Sequence, residues 1–156
     1  MELINKKYIF VNKRNQIIIN HVLKEKHKLK FKSMKDLFIE GSKFSPTVDF
    51  KSKGELKMSG KALLEDSRIL FTPIFKWLDD LQSEEITFDV NLEYFNTAVS
   101  KQLYELFEKL NLNKDHSKID INWHYEEDDD DSFESGMLYK DKFLRMNFKF
   151  YVYSKY

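Results

Sequence analysis

Phe88, Val90, Leu92 and Tyr94 alternate strictly with Thr87, Asp89, Asn91 and Glu93, and directly afterwards the apolar spacing changes to threes and fours at Val99, Leu103, Leu106 and Leu110. A period of two followed by a period near 3.6 is a strand feeding an amphipathic helix. The switch recurs along the chain. Ile119, Ile121, Trp123 and Tyr125 alternate with Asp120, Asn122 and His124, and Met146, Phe148, Phe150 and Val152 alternate with Asn147, Lys149 and Tyr151. Upstream, Val48 and Phe50, then Leu56 and Met58, flank the turn-forming Lys51-Ser52-Lys53-Gly54, which predicts a hairpin.

Helices fill the intervals. Leu70, Ile74, Trp77 or Leu78, and Leu81 predict a helix over about 66–81, with Pro73 either kinking it or opening a second segment capped by Thr72. A helix is expected from Thr97 to about Leu112, and a short acidic one over Asp131 to Phe143. The order is therefore β-β-α-β-α-β-α-β, an α/β (α+β-like) fold. It has a mixed sheet of about five strands with helices on one face, since strands that alternate this cleanly bury only one side. The strand–helix–strand units should be right-handed parallel crossovers.

Composition narrows the function classes. The 156 residues include only two prolines, four glycines and no cysteine. Thiolate metal sites, disulfides and cysteine nucleophiles are thereby excluded, and a reducing, cytoplasmic setting fits. No apolar run reaches the roughly 18 residues of a membrane span, so no membrane insertion is expected. The zero net charge hides an asymmetry. Residues 1–33 hold nine Lys/Arg against two Asp/Glu, and residues 34–156 hold seventeen against twenty-four. An acidic body argues against nucleic acid as the principal partner. The basic leader has no clear period; a strand pair at Lys7–Val11 and Gln16–Val22, turning at Lys13-Arg14-Asn15, is conceivable. The leader reads as an N-terminal extension over residues 1–33 ahead of one domain over 34–156. Met34 as the true start, with the leader an upstream translation, is the plainer alternative.

Thr97 is the sharpest candidate for function. It stands where a strand ends and a helix opens, so its hydroxyl can cap the helix. The same place suits a phosphate, because the first N–H groups are unpaired and the helix dipole favours negative charge there. Lys101 lies one turn on and can pair with such a phosphate, and Ser100 is a second, weaker acceptor. Tyr94, Asn96, Thr97, Ser100 and Lys101 form the candidate partner-binding set. Tyr139, Tyr151, Tyr153 and Tyr156 are further aromatic candidates for exposed contacts.

The run Glu126 to Asp131 offers six acids, but its spacing fits no calcium loop. A solvated loop favouring the next helix N-terminus, or an acidic contact for a basic partner, explains it better. His124, Glu126 and Asp128 would share one strand face, yet no second histidine joins them; His116 lies beside Asp115 in a loop. No metal or other cofactor is expected. No nucleophile–base set, phosphate loop or metalloprotease motif is present, so an enzyme is not expected.

Several segments together resemble the SiaC-type bacterial regulatory phosphoproteins. They are Leu37-Phe38-Ile39-Glu40-Gly41, Ser45-Pro46-Thr47-Val48-Asp49-Phe50, Gly54-Glu55-Leu56 with Ser59-Gly60, Trp77-Leu78, Leu92-Glu93-Tyr94-Phe95-Asn96-Thr97, and Trp123-His124-Tyr125-Glu126-Glu127-Asp128-Asp129. The likeness covers about residues 34–156, and Tyr-x-Asn-Thr is its most specific element. The resemblance implies a STAS-like fold and a partner-switching role. It implies that Thr97 is phosphorylated by a dedicated protein kinase and released by a PP2C-type phosphatase. It also implies that the bare form binds an effector such as a diguanylate cyclase, influencing cyclic-di-GMP signalling and biofilm behaviour. The chain departs from the pattern at Ala62-Leu63-Leu64-Glu65 and at Ala98-Val99, near the expected contact surface. A constitutive interaction domain with Thr97 serving only as a cap is the competing expectation.

Overall fold

The computed structural model describes residues 34–154. The leader, its candidate strand pair and Tyr156 lie outside the described residues. In chain order the elements are β1 (Leu37–Ile39), β2 (Thr47–Phe50), β3 (Glu55–Ala62), α1 (Arg68–Asp80), β4 (Glu85–Phe95), α2 (Thr97–Leu112), β5 (Lys118–Glu126), α3 (Asp130–Lys142) and β6 (Asn147–Tyr153). The mixed α/β architecture is as expected, with one strand more. β1 is three residues long and shows no alternation of its own, so only its pairing with β2 defines it.

The six strands lie in sequence order across one sheet. β1–β2 and β2–β3 are antiparallel; β3–β4, β4–β5 and β5–β6 are parallel. The register lines Phe50, Leu56, Phe88, Ile121 and Phe148 across the sheet, and Val48, Met58, Val90, Trp123 and Phe150 in the next row. All three helices meet these same rows. Trp77 of α1 packs on Phe50, Phe107 of α2 on Phe88 and Phe148, and Tyr139 of α3 on Trp123, with ring centroids 5.0–6.1 Å apart across the helix–sheet and helix–helix contacts of this cluster. The helices therefore share one face. The opposite face carries polar pairs, among them Asn122 Nδ2 donating to Asp89 Oδ1 and Asn147 Nδ2 donating to Asp120 Oδ1, each at 2.9 Å.

The turn at Lys51 to Gly54 closes β2–β3 as expected, with Gly54 N–H donating to the Lys51 carbonyl at 2.9 Å. α1 is one helix with Pro73 inside it, so Thr72 opens no second segment. Among the described residues no helix is long and apolar enough to cross a membrane.

One departure from simple alternation shapes the site. Gly60 pairs with Leu92, but Lys61 pairs with Tyr94, so β4 carries one extra residue at this point. The bulge reverses the faces beyond it. Phe95 turns inward against Trp123, at 6.1 Å between centroids, and Tyr94 turns outward with 56% of its surface exposed. Tyr94 is thus not on the inward row with Phe88, Val90 and Leu92, as alternation alone predicts. Gly60 sits at the shift with φ of +103°, a conformation that side-chain-bearing residues avoid.

Candidate binding face at the β4–α2 junction

The chain leaves β4 at Phe95, and Asn96 turns it into α2. Asn96 is the N-cap: its backbone is extended and its Oδ1 accepts from Val99 N–H at 3.0 Å. Its Nδ2 donates to the Leu64 carbonyl at 2.9 Å, and its N–H donates to the Ala62 carbonyl, so the cap also ties the junction to the end of β3. The capping role expected of Thr97 therefore belongs to Asn96. Both residue types can cap, and asparagine is the better of the two.

Thr97 is left as the first helical residue, exposed, with no hydrogen-bond partner for its hydroxyl among the described residues. Val99 N–H is satisfied by the cap side chain and Ser100 N–H by the Asn96 carbonyl. The N–H groups of Thr97 and Ala98 are those that helix geometry leaves without an intrahelical acceptor. The first turn of α2 holds no acid, and Lys101 is exposed one turn on.

Ser100 behaves differently. Tyr139 Oη donates to the Ser100 carbonyl at 2.9 Å and lies 2.9 Å from Ser100 Oγ. A phenol has one proton, so the second bond is donated by the Ser100 hydroxyl. That hydroxyl is engaged inside the fold. Tyr139 is itself 5% exposed, so the expectation that it is a surface aromatic is corrected. Its inward place follows from the α3 register against Trp123 and Phe107. Burial pushes its phenol pKa up, and the Ser100 bond partly offsets that rise. Tyr151, by contrast, is exposed and stacks on His124.

The acidic run folds into the start of α3. Asp129 N–H donates to the Glu126 carbonyl in a turn, Asp129 caps the helix by accepting from Ser132 N–H at 2.9 Å, and Asp130 and Asp131 fill the first turn. Among the described residues no group of three or more His, Asp or Glu is arranged to hold a metal. His124 faces Asp89 at 3.5 Å, and Glu126 and Asp128 do not join it around a common point. His116 is buried between the Ser83 carbonyl, 2.6 Å from Nδ1, and Asn113 Nδ2, 3.2 Å from Nε2, where it links two loops.

Tyr94 and Phe95 at the end of β4 face the N-terminus of α3 across a cleft of about 150 Å³, lined further by Asp129, Asp131, Ser132 and Ser135. The exposed Thr97 thus stands two residues from an aromatic and acidic recess.

A family model described as SiaC family regulatory phosphoprotein matches residues 39–153. The chain belongs to the SiaC family. The solved structures agree on the fold. Apo-SiaC from Pseudomonas aeruginosa is 20% identical, with a TM-score of 0.60 over 78% of this chain and 100% of that one. A second SiaC structure of Pseudomonas aeruginosa is 22% identical, with a TM-score of 0.64 over 78% and 99%. A third is the Pseudomonas aeruginosa diguanylate cyclase SiaD in complex with its activator SiaC; the match there is 21% identical, with a TM-score of 0.67 over 76% and 100%. No curated protein matches. The resemblance read from the motifs is thereby borne out at the level of family and fold. What sequence reading missed in this SiaC-family chain are the outward turn of Tyr94, the Tyr139–Ser100 pair and the recess beside Ser132. Only Gly60, a lone glycine in a strand, carried a signal for any of them.

Proposed function

We propose that this protein is a regulatory protein-binding module, switched by phosphorylation of Thr97, with a signalling enzyme such as a diguanylate cyclase as its effector. The observation that carries the reading is the division of labour at the α2 N-terminus. Asn96 caps the helix, and the Thr97 hydroxyl is exposed and bonds to nothing among the described residues. Family membership supports regulation by phosphate. A SiaC of Pseudomonas aeruginosa bound to the diguanylate cyclase it activates supports the class of effector.

The physical consequence is local. A phosphate on Thr97 adds about −1.5 to −2 charge at an end whose dipole welcomes it. The fold stays intact while an exposed face bearing Tyr94, Thr97 and Lys101 changes sign. A protein kinase and a PP2C-type phosphatase would set the two states.

The test is the phosphorylation state of Thr97 in protein from its native cells, by intact mass and peptide mapping, with and without PP2C treatment. A partial, phosphatase-sensitive phosphate on Thr97 is expected. A Thr97 that stays bare across growth conditions, and that no kinase modifies, would leave a constitutive binding module in its place.

A further inference from the structure

The recess between β4 and α3 contains a polar group that the fold does not satisfy. Ser132 is 4% exposed. Its N–H donates to Asp129 Oδ1 at 2.9 Å, and its carbonyl accepts from Trp123 Nε1 at 3.1 Å. Its Oγ is buried and has no hydrogen-bond partner among the described residues. Ser132 is the third residue of α3, and its hydroxyl makes no bond back to a nearby backbone carbonyl either. A buried hydroxyl left without a bond is costly, and Ser132 is among the residues that line the recess, so a donor seated there completes it once a turn of the Ser132 side chain brings Oγ to the recess wall.

The lining specifies the chemistry of that group. Asp129 spends one oxygen on the Ser132 N–H and keeps the other, and Asp131 adds a second, exposed carboxylate. Two carboxylates exclude an anion even at a helix N-terminus, and they call for a cationic donor. Tyr94 and Phe95 supply flat aromatic walls, with Tyr94 more than half exposed. A hard metal ion prefers six to eight oxygens and gains nothing from rings. A planar guanidinium stacks on aromatic faces and offers five N–H donors in a fixed fork to carboxylates and hydroxyls. An ammonium is a strongly hydrated point charge that uses the walls less well. The volume of about 150 Å³ suits the end of one side chain.

We infer that this recess receives the guanidinium of an arginine presented by a protein partner. The inference rests on the binding-module reading, and names the chemistry of the partner side chain. Tyr94 and Phe95 would stack on it, Asp129 and Asp131 would take its charge, and Ser132 Oγ would accept one N–H.

The experiment titrates the isotope-labelled full chain with Nα-acetyl-arginine amide, Nα-acetyl-lysine amide and Ca²⁺ separately, following backbone amides by NMR. Saturable shifts at Tyr94, Phe95, Ser132 and Ser135 are expected with the arginine compound, with measurably weaker binding for the lysine compound. Asp131→Asn removes one exposed ion pair and should weaken the arginine affinity by up to about fivefold. Ser132→Ala should weaken it as well without lowering the unfolding midpoint, because it removes a hydroxyl that has no partner. No saturable shift into tens of millimolar arginine compound overturns the inference. So do stronger shifts with Ca²⁺, or an affinity indifferent to Asp131→Asn. None of these readouts involves a phosphate, so a bare Thr97 in cells leaves the inference standing. A silent titration likewise leaves the phosphorylation reading untouched.

Discussion

Replacing Asn96 and Thr97 separately by alanine distinguishes the residue that caps α2 from the exposed residue beside it. Asn96 makes two side-chain bonds, Oδ1 from Val99 N–H and Nδ2 to the Leu64 carbonyl. Losing an N-cap costs about 1 kcal/mol. Losing the second bond, with the Leu64 carbonyl left half-buried, costs about another 1 kcal/mol. Asn96→Ala should therefore destabilise by about 2 kcal/mol. At roughly 2–4 °C per kcal/mol for a chain of this size, the melting midpoint falls by about 4–8 °C. Asn96→Asp keeps a capping oxygen but loses the donor to Leu64, and should fall about halfway. Thr97→Ala removes an exposed side chain whose hydroxyl has no partner among the described residues, and should stay within about 0.5 kcal/mol of the parent. The assay is urea and thermal unfolding of the full chain, followed by circular dichroism, with unchanged m-values as the check on two-state behaviour. If Thr97→Ala is as damaging as Asn96→Ala, the hydroxyl is doing structural work, and assigning the cap to Asn96 alone is wrong.

Gly136→Ala should destabilise by about 1–3 kcal/mol, although glycine to alanine inside a helix ordinarily stabilises. The new Cβ would lie 2.8 Å from Phe150 Cε1 and 2.9 Å from Trp123 Cδ1 and Nε1, and a gain on chemical denaturation would show that α3 is not seated so closely. Thr97→Glu should stabilise by about 0.3–1 kcal/mol through the helix dipole, with the gain fading as salt is raised; a salt-independent change in unfolding midpoint would refute that cause. Tyr139→Phe should flatten the alkaline limb of stability. The buried phenol has a raised pKa, so its folded state holds a proton that the unfolded chain loses above about pH 10; the parent therefore weakens from there upward, and denaturation at stepped pH reads the difference between the two proteins. Asp120→Asn should act at the opposite end. The Asn147 hydrogen bond, aided by Lys149 and Lys118, lowers the Asp120 pKa below 3.8, so its contribution is present above that pH and lost as pH falls through the lowered value. The stability gap between the parent and Asp120→Asn should therefore narrow in acid, and a gap constant from neutral pH to pH 2 would contradict it.

The parts of this fold legible in sequence are those where one period runs unbroken. β5 and β6 alternate without interruption, α2 keeps its apolar stripe from Val99 to Leu110, and each lies where its periodicity puts it. β1 was illegible because three residues cannot show a period, and its identity comes from pairing with β2. The helix cap was half legible: Asn-Thr after a strand marks the start of a helix, but the choice between two capping residues depends on where β4 stops. Tyr94 misled because periodicity assumes an unbroken ladder, and a single inserted residue reverses every side chain beyond it. Tyr139 misled for a different reason. α3 has only a weak apolar stripe, with Ser132, Gly136 and Tyr139 as its buried positions, and a serine and a glycine do not announce a buried face. The same weakness hid Ser132, whose burial follows from Gly136 letting α3 approach Trp123 and Phe150.

Two helix N-termini flank the end of β4, and the chain has equipped them oppositely. α3 opens with a capping aspartate and two further aspartates, so its dipole is already answered by fixed negative charge. α2 opens with a neutral asparagine cap, an exposed threonine and alanine, and no acid in its first turn. Both ends could satisfy their N–H groups with carboxylates, as helices commonly do. Only the end bearing Thr97 leaves that place vacant for a removable charge, and Lys101 one turn on is of the sign to meet it. The α3 end, saturated with acid, is suited to meet a cation. A partner that places an arginine against α3 and lies across α2 would therefore be sensitive to a phosphate on Thr97 at one end of its footprint and held by fixed charge at the other. On the proposed reading, such a face would let one modification change the strength or choice of binding without dismantling the site.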